Sequence, residues 1–374
     1  MKAEIINSEL LFHYKNIQVE KRLIRLNNDI KITRELLLTN EHFAVVVVSD
    51  SKYRVILQQI YHYGNNQYIW GVPRISITSK HFTEEDVKYF VEDTFNCFVF
   101  SVDKIFSSYD DATIVVDRKI DFYLAKVDEL TENHSLIRFP LEQSLKFLSK
   151  DSITDNFTIL ALLWLKYQIS QPLLHSSIQT VQNGYKNVYP LPKAKILNEE
   201  ILYKGKVFDI INRNVLLADG QKKSFRVVRR ADTVLAVVID KDTKEAIFLE
   251  EYFPGTDSSP CGLVGGHVKR YDKDTEKHYI NHMNRELREE SGYCGKLTRL
   301  LSCHGSIDLS RIVHHFLAND LEWSPLETGH EEYVPKNIRV STKKLLDAQF
   351  LSEILVSEVV TILTALNRLN FNQK

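Results

Sequence analysis

Cysteine is scarce in this chain, and so are the patterns that would give it a structural role. The 374 residues include four cysteines, Cys97, Cys261, Cys294 and Cys303, none of them in a Cys-x-x-Cys spacing. A zinc knuckle requires that spacing, and four unpatterned cysteines do not indicate a disulfide framework. We therefore interpret them as reduced thiols with packing roles.

Excess charge and long apolar runs are also lacking. The 48 Lys and Arg residues nearly balance the 49 Asp and Glu residues, which excludes the basic footprint of a nucleic-acid-binding protein. The N-terminal segment, MKAEIINSEL, lacks the apolar core that a signal peptide has. The longest apolar run, ILALLWL at 159–165, is too short to span a bilayer. We expect a cytoplasmic protein with no nucleic-acid or membrane partner.

The chain is long enough for about two domains, and its sequence contains an internal repeat of two similar copies. Residues 6–48 parallel residues 197–239, and matching segments continue beyond both. β-branched and aromatic runs predict strands, and i, i+3, i+4 patterns predict helices, in the same order in each copy. The pattern predicts an α/β sandwich repeated in tandem.

The stretch between the copies is rich in Ser, Gln, Asn and Pro and has little periodicity, which is typical of a linker. We predict a first domain at 1–170, a linker at 171–195 and a second domain at 196–374.

The segment RELREESGY, residues 285–293, is the strongest chemical signal. Helical spacing puts Glu286, Glu289 and Glu290 on one face, where they repel one another unless a cation lies among them. Hard divalent cations such as Mg²⁺ prefer this kind of carboxylate cluster. The alternative is an exposed acidic face with Arg285 and Arg288 as ion-pair partners.

The residues around this helix favour a site. The preceding stretch, SSPCGLVGGHV at 258–268, can bring backbone close to a bound ion because it is rich in glycine. Ile280, Met283 and Leu287 form an apolar face on which the helix can pack, and Gly292 is placed to end it as a left-handed C-cap.

These residues resemble the Nudix hydrolases, whose box ends Arg-Glu-apolar-x-Glu-Glu-x-Gly-apolar. The match to that half is complete, at Arg285, Glu286, Leu287, Glu289, Glu290, Gly292 and Tyr293. The first half of the box departs from the pattern, since Gly262 lies farther from Arg285 and Lys277 takes the place of a glutamate, with Glu276 beside it. The resemblance implies two tandem Nudix-type α/β/α sandwich domains with mixed sheets.

Residues 197–370 look most like the branch that cleaves nucleoside diphosphate sugars such as ADP-ribose and UDP-glucose. PCGLV and SCHGSIDLSRIVHHFLANDLEW carry that likeness. Phe253 stands where the branch usually has an arginine that meets phosphate, and Arg229 or Arg230 is predicted to compensate. With Gly262, these two arginines form the predicted substrate-binding set.

The resemblance also implies residue roles. Mg²⁺, or Mn²⁺, would be held by Glu286, Glu289, Glu290 and the carbonyl of Cys261, and would neutralise the diphosphate during attack by water. Arg285 would orient the glutamates. The general base would come from a distal loop, LETGHEEYVPKN at 326–337, where we predict Glu331 or Glu332. The predicted catalytic residues are therefore Glu289, Arg285, Glu331 and Glu332.

The corresponding helix of the first copy, TEEDVKYFVEDTFNCF at 83–98, lacks this chemistry. Alignment puts Phe90 in the place of Glu286, Asp93 against Glu289 and Thr94 against Glu290. Thr83 and Asp86 predict a capping box, which explains the local acids without a metal. We predict a degenerate Nudix domain.

Two functions stay open from the sequence. One is a Mg²⁺-dependent pyrophosphatase with a single working site in the second copy; the other is a nucleotide-sugar sensor or scaffold in which neither copy cleaves. The repeat also predicts that the two copies pair within one chain through strands near 8–26, as an intrachain pseudo-dimer that needs no second chain.

Overall fold

The fold is that of a computed structural model of the chain. The described residues are 3–26, 30–39, 42–77, 81–110, 115–116, 118–128, 136–141, 144, 155–168, 191–250, 252–253, 261–268, 276–326 and 336–369. Most of the predicted linker at 171–195 lies outside these ranges, so the domain limits remain predictions.

Within the ranges just given, the first half contains strands of two sheets and two helices. The strands are β1 (Ala3–Tyr14), β2 (Ile17–Leu26), β3 (Lys31–Thr39), β4 (His42–Asp50), β5 (Arg54–His62), β6 (Gln67–Gly71), β7 (Arg74–Ile77), β8 (Val99–Tyr109), β9 (Val115–Val116), β10 (Lys119–Val127) and β11 (Leu136–Pro140). The helices are α1 (Glu84–Phe95) and α2 (Asn156–Gln168).

The second half contains the corresponding elements. Its strands are β12 (Lys195–Lys204), β13 (Phe208–Leu216), β14 (Lys222–Arg230), β15 (Asp232–Asp240), β16 (Glu245–Glu250), β17 (Cys261–Gly262), β18 (Val264–Val268), β19 (Tyr293–His304), β20 (Leu309–Ser310), β21 (Ile312–Trp323) and β22 (Lys336–Ser341). Its helical segments are α3 (Glu276–Glu286), a π-helical turn (Leu287–Ser291), a 3₁₀ turn (Thr342–Leu346), α4 (Ala348–Ser352) and α5 (Val356–Arg368).

The same strand order occurs in both halves. The smaller sheets run β1-β2-β3-β9 and β12-β13-β14-β20, and the larger sheets run β11-β5-β4-β10-β8 and β17-β16-β15-β21-β19. Each larger sheet is mixed, because β4 with β10 and β15 with β21 are parallel while neighbouring pairs are antiparallel. The predicted α/β class with two tandem sheet-containing units is confirmed.

The central strands read as nearly continuous apolar runs because both of their faces are covered. In β15, Val234, Ala236 and Val238 pack under α3, while Leu235 and Val237 face a second core. That second core also contains α2 and α5, which pack on each other and on strands of both halves. The two halves therefore share one hydrophobic layer.

The smaller sheets also join the halves. Ile17 and Val19 of β2 lie in one apolar cluster with Phe208 and Ile210 of β13. The repeat predicts such contacts for the strands near 8–26, and side chains of both halves pack together there.

A buried ion pair connects the halves as well. Arg118 of the first half donates to Asp308 of the second at 2.5 Å, and both side chains are almost fully buried. Burial raises the pKa of Asp308, but the charge and hydrogen bonds of Arg118 and a hydrogen bond from Ser306 outweigh it, so the pKa lies below its ordinary value. Asp308 therefore stays ionised.

Across the described ranges, no helix combines the length and the apolar character needed to cross a membrane. The cytoplasmic location remains a prediction.

Candidate functional site

The acidic segment does not continue as a regular α-helix. Helix α3 ends at Glu286, and a π-helical turn follows from Leu287 to Ser291. Ser291 Oγ donates to the carbonyl of Leu287 at 2.5 Å, a back-bond that distorts helices. The regular α-helical spacing predicted for the three glutamates is therefore wrong beyond Glu286, and a wider turn carries Glu289. Such π turns occur frequently at functional sites.

The predicted apolar face and the predicted glycine cap at Gly292 are confirmed. Met283 and Leu287 are fully buried in the core under α3, and Ile280 packs beside them. Gly292 adopts φ 78° and ends the turn in the left-handed region, where a side chain would be strained.

An arginine bridges two of the three carboxylates. Arg285 Nη1 donates to both carboxylate oxygens of Glu289 at 3.1 and 2.8 Å, and Nη2 donates to Glu286 Oε1 at 2.5 Å. His282 Nε2 lies 3.0 Å from the same Glu286 oxygen. Both glutamates are mostly shielded, with 12% and 18% of their side chains exposed. The guanidinium therefore offsets part of the like-charge repulsion on this face.

Strand β18, called the glycine strand for Gly265 and Gly266, lies directly under α3 and the π-helical turn. The N–H of Gly265 donates to Glu290 Oε2 at 3.0 Å. Gly266 pairs with Val234 of β15, and a Cβ added to Gly266 would lie 2.5 Å from Glu286 Oε1. Glycine is needed here because any side chain would displace the carboxylate.

The next predicted residues lie on the short strand β17. Cys261 pairs with Glu250 and Gly262 with Leu249, so both residues are fixed in the larger sheet beside β16. Burial, and then the negative charges of nearby glutamates including Glu358, raise the pKa of the Cys261 thiol. Hard divalent cations prefer oxygen ligands, so the backbone carbonyl of Cys261, and not its sulfur, is the candidate ligand at this position.

The two predicted phosphate-binding arginines point in different directions because neighbouring residues of a strand alternate faces. Arg229 is exposed and donates to Asp209 at 2.9 Å. Arg230 is buried and hydrogen-bonds to His267, the residue that follows Gly266. The structure therefore brings Arg230, and not Arg229, to the glycine strand.

The aromatic pair after β16 is part of the core. Phe253 is buried and packs with Leu355 and with Tyr109 of the first half. Tyr252 packs with Ile24 and Leu26 of β2. The first half thus supports the chain on the N-terminal side of the glycine strand. The predicted bases Glu331 and Glu332 lie outside the described residues.

The first half has an apolar pair where the second has its glycine and glutamate. Ile75 pairs with Ala44, as Gly266 does with Val234, and it packs in the same cluster as Phe90 of α1. Asn96 ends α1 at φ 48°, as Gly292 ends the acidic turn. This correspondence supports the alignment of Phe90 with Glu286 made from the sequence.

Acidic residues of α1 have local structural roles. The predicted capping box of Thr83 and Asp86 is confirmed, with the Thr83 N–H donating to Asp86 at 2.7 Å. Glu92 accepts a hydrogen bond from the N–H of Val99 at 3.1 Å. These contacts account for both carboxylates without a ligand.

Contacts at the end of the acidic turn were not predicted from the sequence. Asn337 Nδ2 donates to the carbonyl of Ser291 at 2.8 Å, Arg288 Nε donates to the carbonyl of Ser324 at 2.8 Å, and the N–H of Leu326 donates to the carbonyl of Arg288 at 3.3 Å. Helix ends leave carbonyls without partners, and Asn337 and the Leu326 N–H satisfy those of Ser291 and Arg288, while Arg288 ties the turn to the end of β21. No sequence signal marks Asn337, because its partner is a backbone atom far along the chain.

The donor chemistry of the site fits a hard divalent cation. Glu286, Glu289 and Glu290 supply carboxylate oxygens, and Gly266 leaves the space that Glu286 occupies. In the part of the chain that the structure describes, however, no three acidic, histidine or cysteine side chains are already arranged to hold a metal.

Comparison with known proteins finds a similar sequence and a similar structure. The chain is 29% identical over 163 residues to the ADP-ribose pyrophosphatase of Bacillus subtilis (strain 168), covering 43% of this chain and 84% of that protein. No family model matches the chain. A crystal structure of an ADP compounds hydrolase aligns at 22% identity with a TM-score of 0.40, covering 48% of this chain and 95% of that one.

Proposed function

We propose that the second half hydrolyses the diphosphate bond of a nucleoside diphosphate derivative of the ADP-ribose or UDP-sugar type, with Mg²⁺ or Mn²⁺ as cofactor, as a Nudix pyrophosphatase. The observation that carries the proposal is the contact between the acidic segment and the glycine strand: the Gly265 N–H donates to Glu290, and Glu286 lies against Gly266. The similarity to an ADP-ribose pyrophosphatase supports the substrate class.

The chain's own residues then have distinct tasks. Glu286, Glu289 and Glu290, with the carbonyl of Cys261, would hold the cation, which neutralises phosphate charge and acidifies water when bound. Arg285 orients Glu286 and Glu289 through its forked hydrogen bonds.

Phosphate binding and proton transfer fall to other residues. Arg230 hydrogen-bonds to His267 of the glycine strand, so it is proposed as the phosphate ligand in preference to Arg229. Gly262, which Leu249 holds in the larger sheet, completes the proposed substrate-binding set. Glu331 or Glu332 is the proposed general base that removes a proton from the attacking water.

The first half is proposed to be a non-catalytic support. Its apolar pair of Ile75 and Phe90 replaces the glycine and glutamate of the second half, and its residues Ile24 and Leu26 pack on Tyr252. We propose that the two halves form a pseudo-dimer within one chain, so that the protein needs no second copy.

The decisive experiment replaces carboxylates at constant size. Glu289→Gln and Glu290→Gln each remove an anionic ligand, so hydrolysis of ADP-ribose with Mg²⁺ should fall by orders of magnitude and the thermal shift induced by the metal should shrink. Asp93→Asn in α1 is the matched control and should retain turnover.

The alternative function, a nucleotide-sugar sensor, predicts binding of the substrate without hydrolysis. If wild-type protein binds ADP-ribose or UDP-glucose without releasing phosphomonoesters, the enzyme proposal is wrong and the protein is a binding module. A fully active Glu290→Gln would show that the acidic turn is only an exposed charged face, whose repulsion the substitution relieves by roughly a few tenths of a kcal/mol.

A further inference from the structure

The backbone N–H of Leu263, next to the glycine strand, takes part in neither of the β-ladders on its two sides. Strand β17 pairs with β16, strand β18 pairs with β15, and Leu263 is the residue at which the chain crosses between them. A buried N–H outside a ladder requires another acceptor. Glu358 Oε1 provides it, accepting from the Leu263 N–H at 2.9 Å.

Glu358 is the third residue of α5 and is buried, with 3% of its surface exposed. Its other oxygen accepts from the N–H of Leu355 at 3.0 Å, which caps the helix. Burying a carboxylate costs free energy unless hydrogen bonds compensate, and bonds to an ionised acceptor are strong. Glu358 therefore links the start of α5 rigidly to the crossing point at Leu263.

In the first half, the backbone N–H at the corresponding crossing point is bound by a neutral side chain. Val72 lies between β6 and β7, and its N–H donates to Thr158 Oγ1 at 3.0 Å. Thr158 is the third residue of α2 and is fully buried, as Glu358 is in α5. A hydroxyl is thus sufficient to fix the backbone where there is no acidic site, and the half with the acidic site has a carboxylate.

We propose that Glu358 is a positioning residue for the hydrolysis assigned above to the second half, a role that rests on that proposed function. By fixing Leu263, it sets where Gly265 and Gly266 lie beneath the acidic turn. Gly265 follows Leu263 by two residues and binds Glu290, so a shift at the crossing moves a carboxylate ligand.

The test compares Glu358→Met with Thr158→Val, which removes the matching hydrogen bond in the first half. Glu358→Met should lower kcat for ADP-ribose by about 10- to 100-fold with KM changed less than about twofold, as is typical when a group that orients metal ligands is lost. Its affinity for Mn²⁺ alone, measured by electron paramagnetic resonance, should weaken by about tenfold. Thr158→Val should lower Tm but leave kcat and Mn²⁺ affinity unchanged.

Two further variants separate positioning from stability. Glu358→Gln retains an oxygen for the Leu263 N–H and should recover most of the lost turnover. Should Glu358→Met fail to fold, Glu358→Asp must show the kcat loss instead, because it keeps the charge but withdraws the acceptor by one methylene.

The outcomes distinguish the two proposals. An active wild type with wild-type kcat and Mn²⁺ affinity in Glu358→Met overturns the positioning role alone, and so does an equal loss of kcat in Thr158→Val. A wild type that neither hydrolyses the substrates nor binds Mn²⁺ overturns the proposed function, and the positioning role with it.

Discussion

Substituting Gly266 by alanine tests the geometry of the site without removing any functional group. The added Cβ would lie 2.5 Å from Glu286 Oε1, whereas ordinary contacts begin at 3.4 Å. The carboxylate must therefore retreat by about 1 Å. Because Glu286 is a flexible side chain whose far end is displaced, the fold can accommodate this movement while the ligand geometry cannot.

The expected result is a large loss of activity with little change in stability. A misplacement of about 1 Å in a catalytic arrangement can cost about 100-fold in rate, so kcat/KM for ADP-ribose should fall by about that factor. Gly266 lies outside the left-handed region, and Gly→Ala at such a position stabilises by about 0.4–1 kcal/mol through the unfolded chain. The free energy of unfolding should therefore change by less than about 1 kcal/mol.

Steady-state phosphate release and denaturant unfolding measure the two quantities. Gly305→Ala is the matched control, because the three atoms nearest to its Cβ would all belong to the side chain of Leu309, the closest of them at 3.0 Å. Wild-type kcat/KM in Gly266→Ala would refute the placement of Glu286 over the glycine strand. An equal loss in Gly305→Ala would show that the effect is general and not local.

Two predictions concern the whole chain. Burial, followed by neighbouring charges, lowers the pKa of His62 and of His315 to about 3 each, whereas an unfolded histidine titrates near 6.5. The free energy of unfolding should thus be highest above pH 6.5 and fall towards acid, by up to about 2.7 kcal/mol per pH unit while only the unfolded state takes up two protons. Denaturant unfolding from pH 7.5 to 4.5 should show this fall, with about half the slope in His315→Gln. A flat profile would contradict the burial of two neutral histidines. Light scattering should give the mass of a single chain, and a tight homodimer would contradict the intrachain pairing.

Much of the architecture follows from the sequence because it depends on local periodicity. The apolar runs of β4 and β15 specify central strands, since a strand covered on both faces has no polar side. Met283 and Leu287 specify the buried face of α3 and the π-helical turn after it, and Gly292 specifies the end of that turn. The similarity of the two copies specifies that these elements occur twice in the same order.

The sequence also identifies which residues can carry the chemistry, because Glu286, Glu289 and Glu290 lie within five positions. It does not show how they are directed. The π turn depends on the Ser291 back-bond, and the partners of the acidic segment come from Gly265, Asn337 and other distant positions. Spacing along the chain cannot encode such contacts.

Residue type and sequence position determined the candidate ligands, the repeat and the fold class of this protein, since each is set by contacts within a few residues or by the period of the side chains. Only the tertiary structure separated Arg230 from Arg229, put Phe253 in the core and revealed the hydrogen bond from Leu263 to Glu358. The physical reason is that strand register and helix docking decide which side chains meet, and both are fixed by packing over the whole chain.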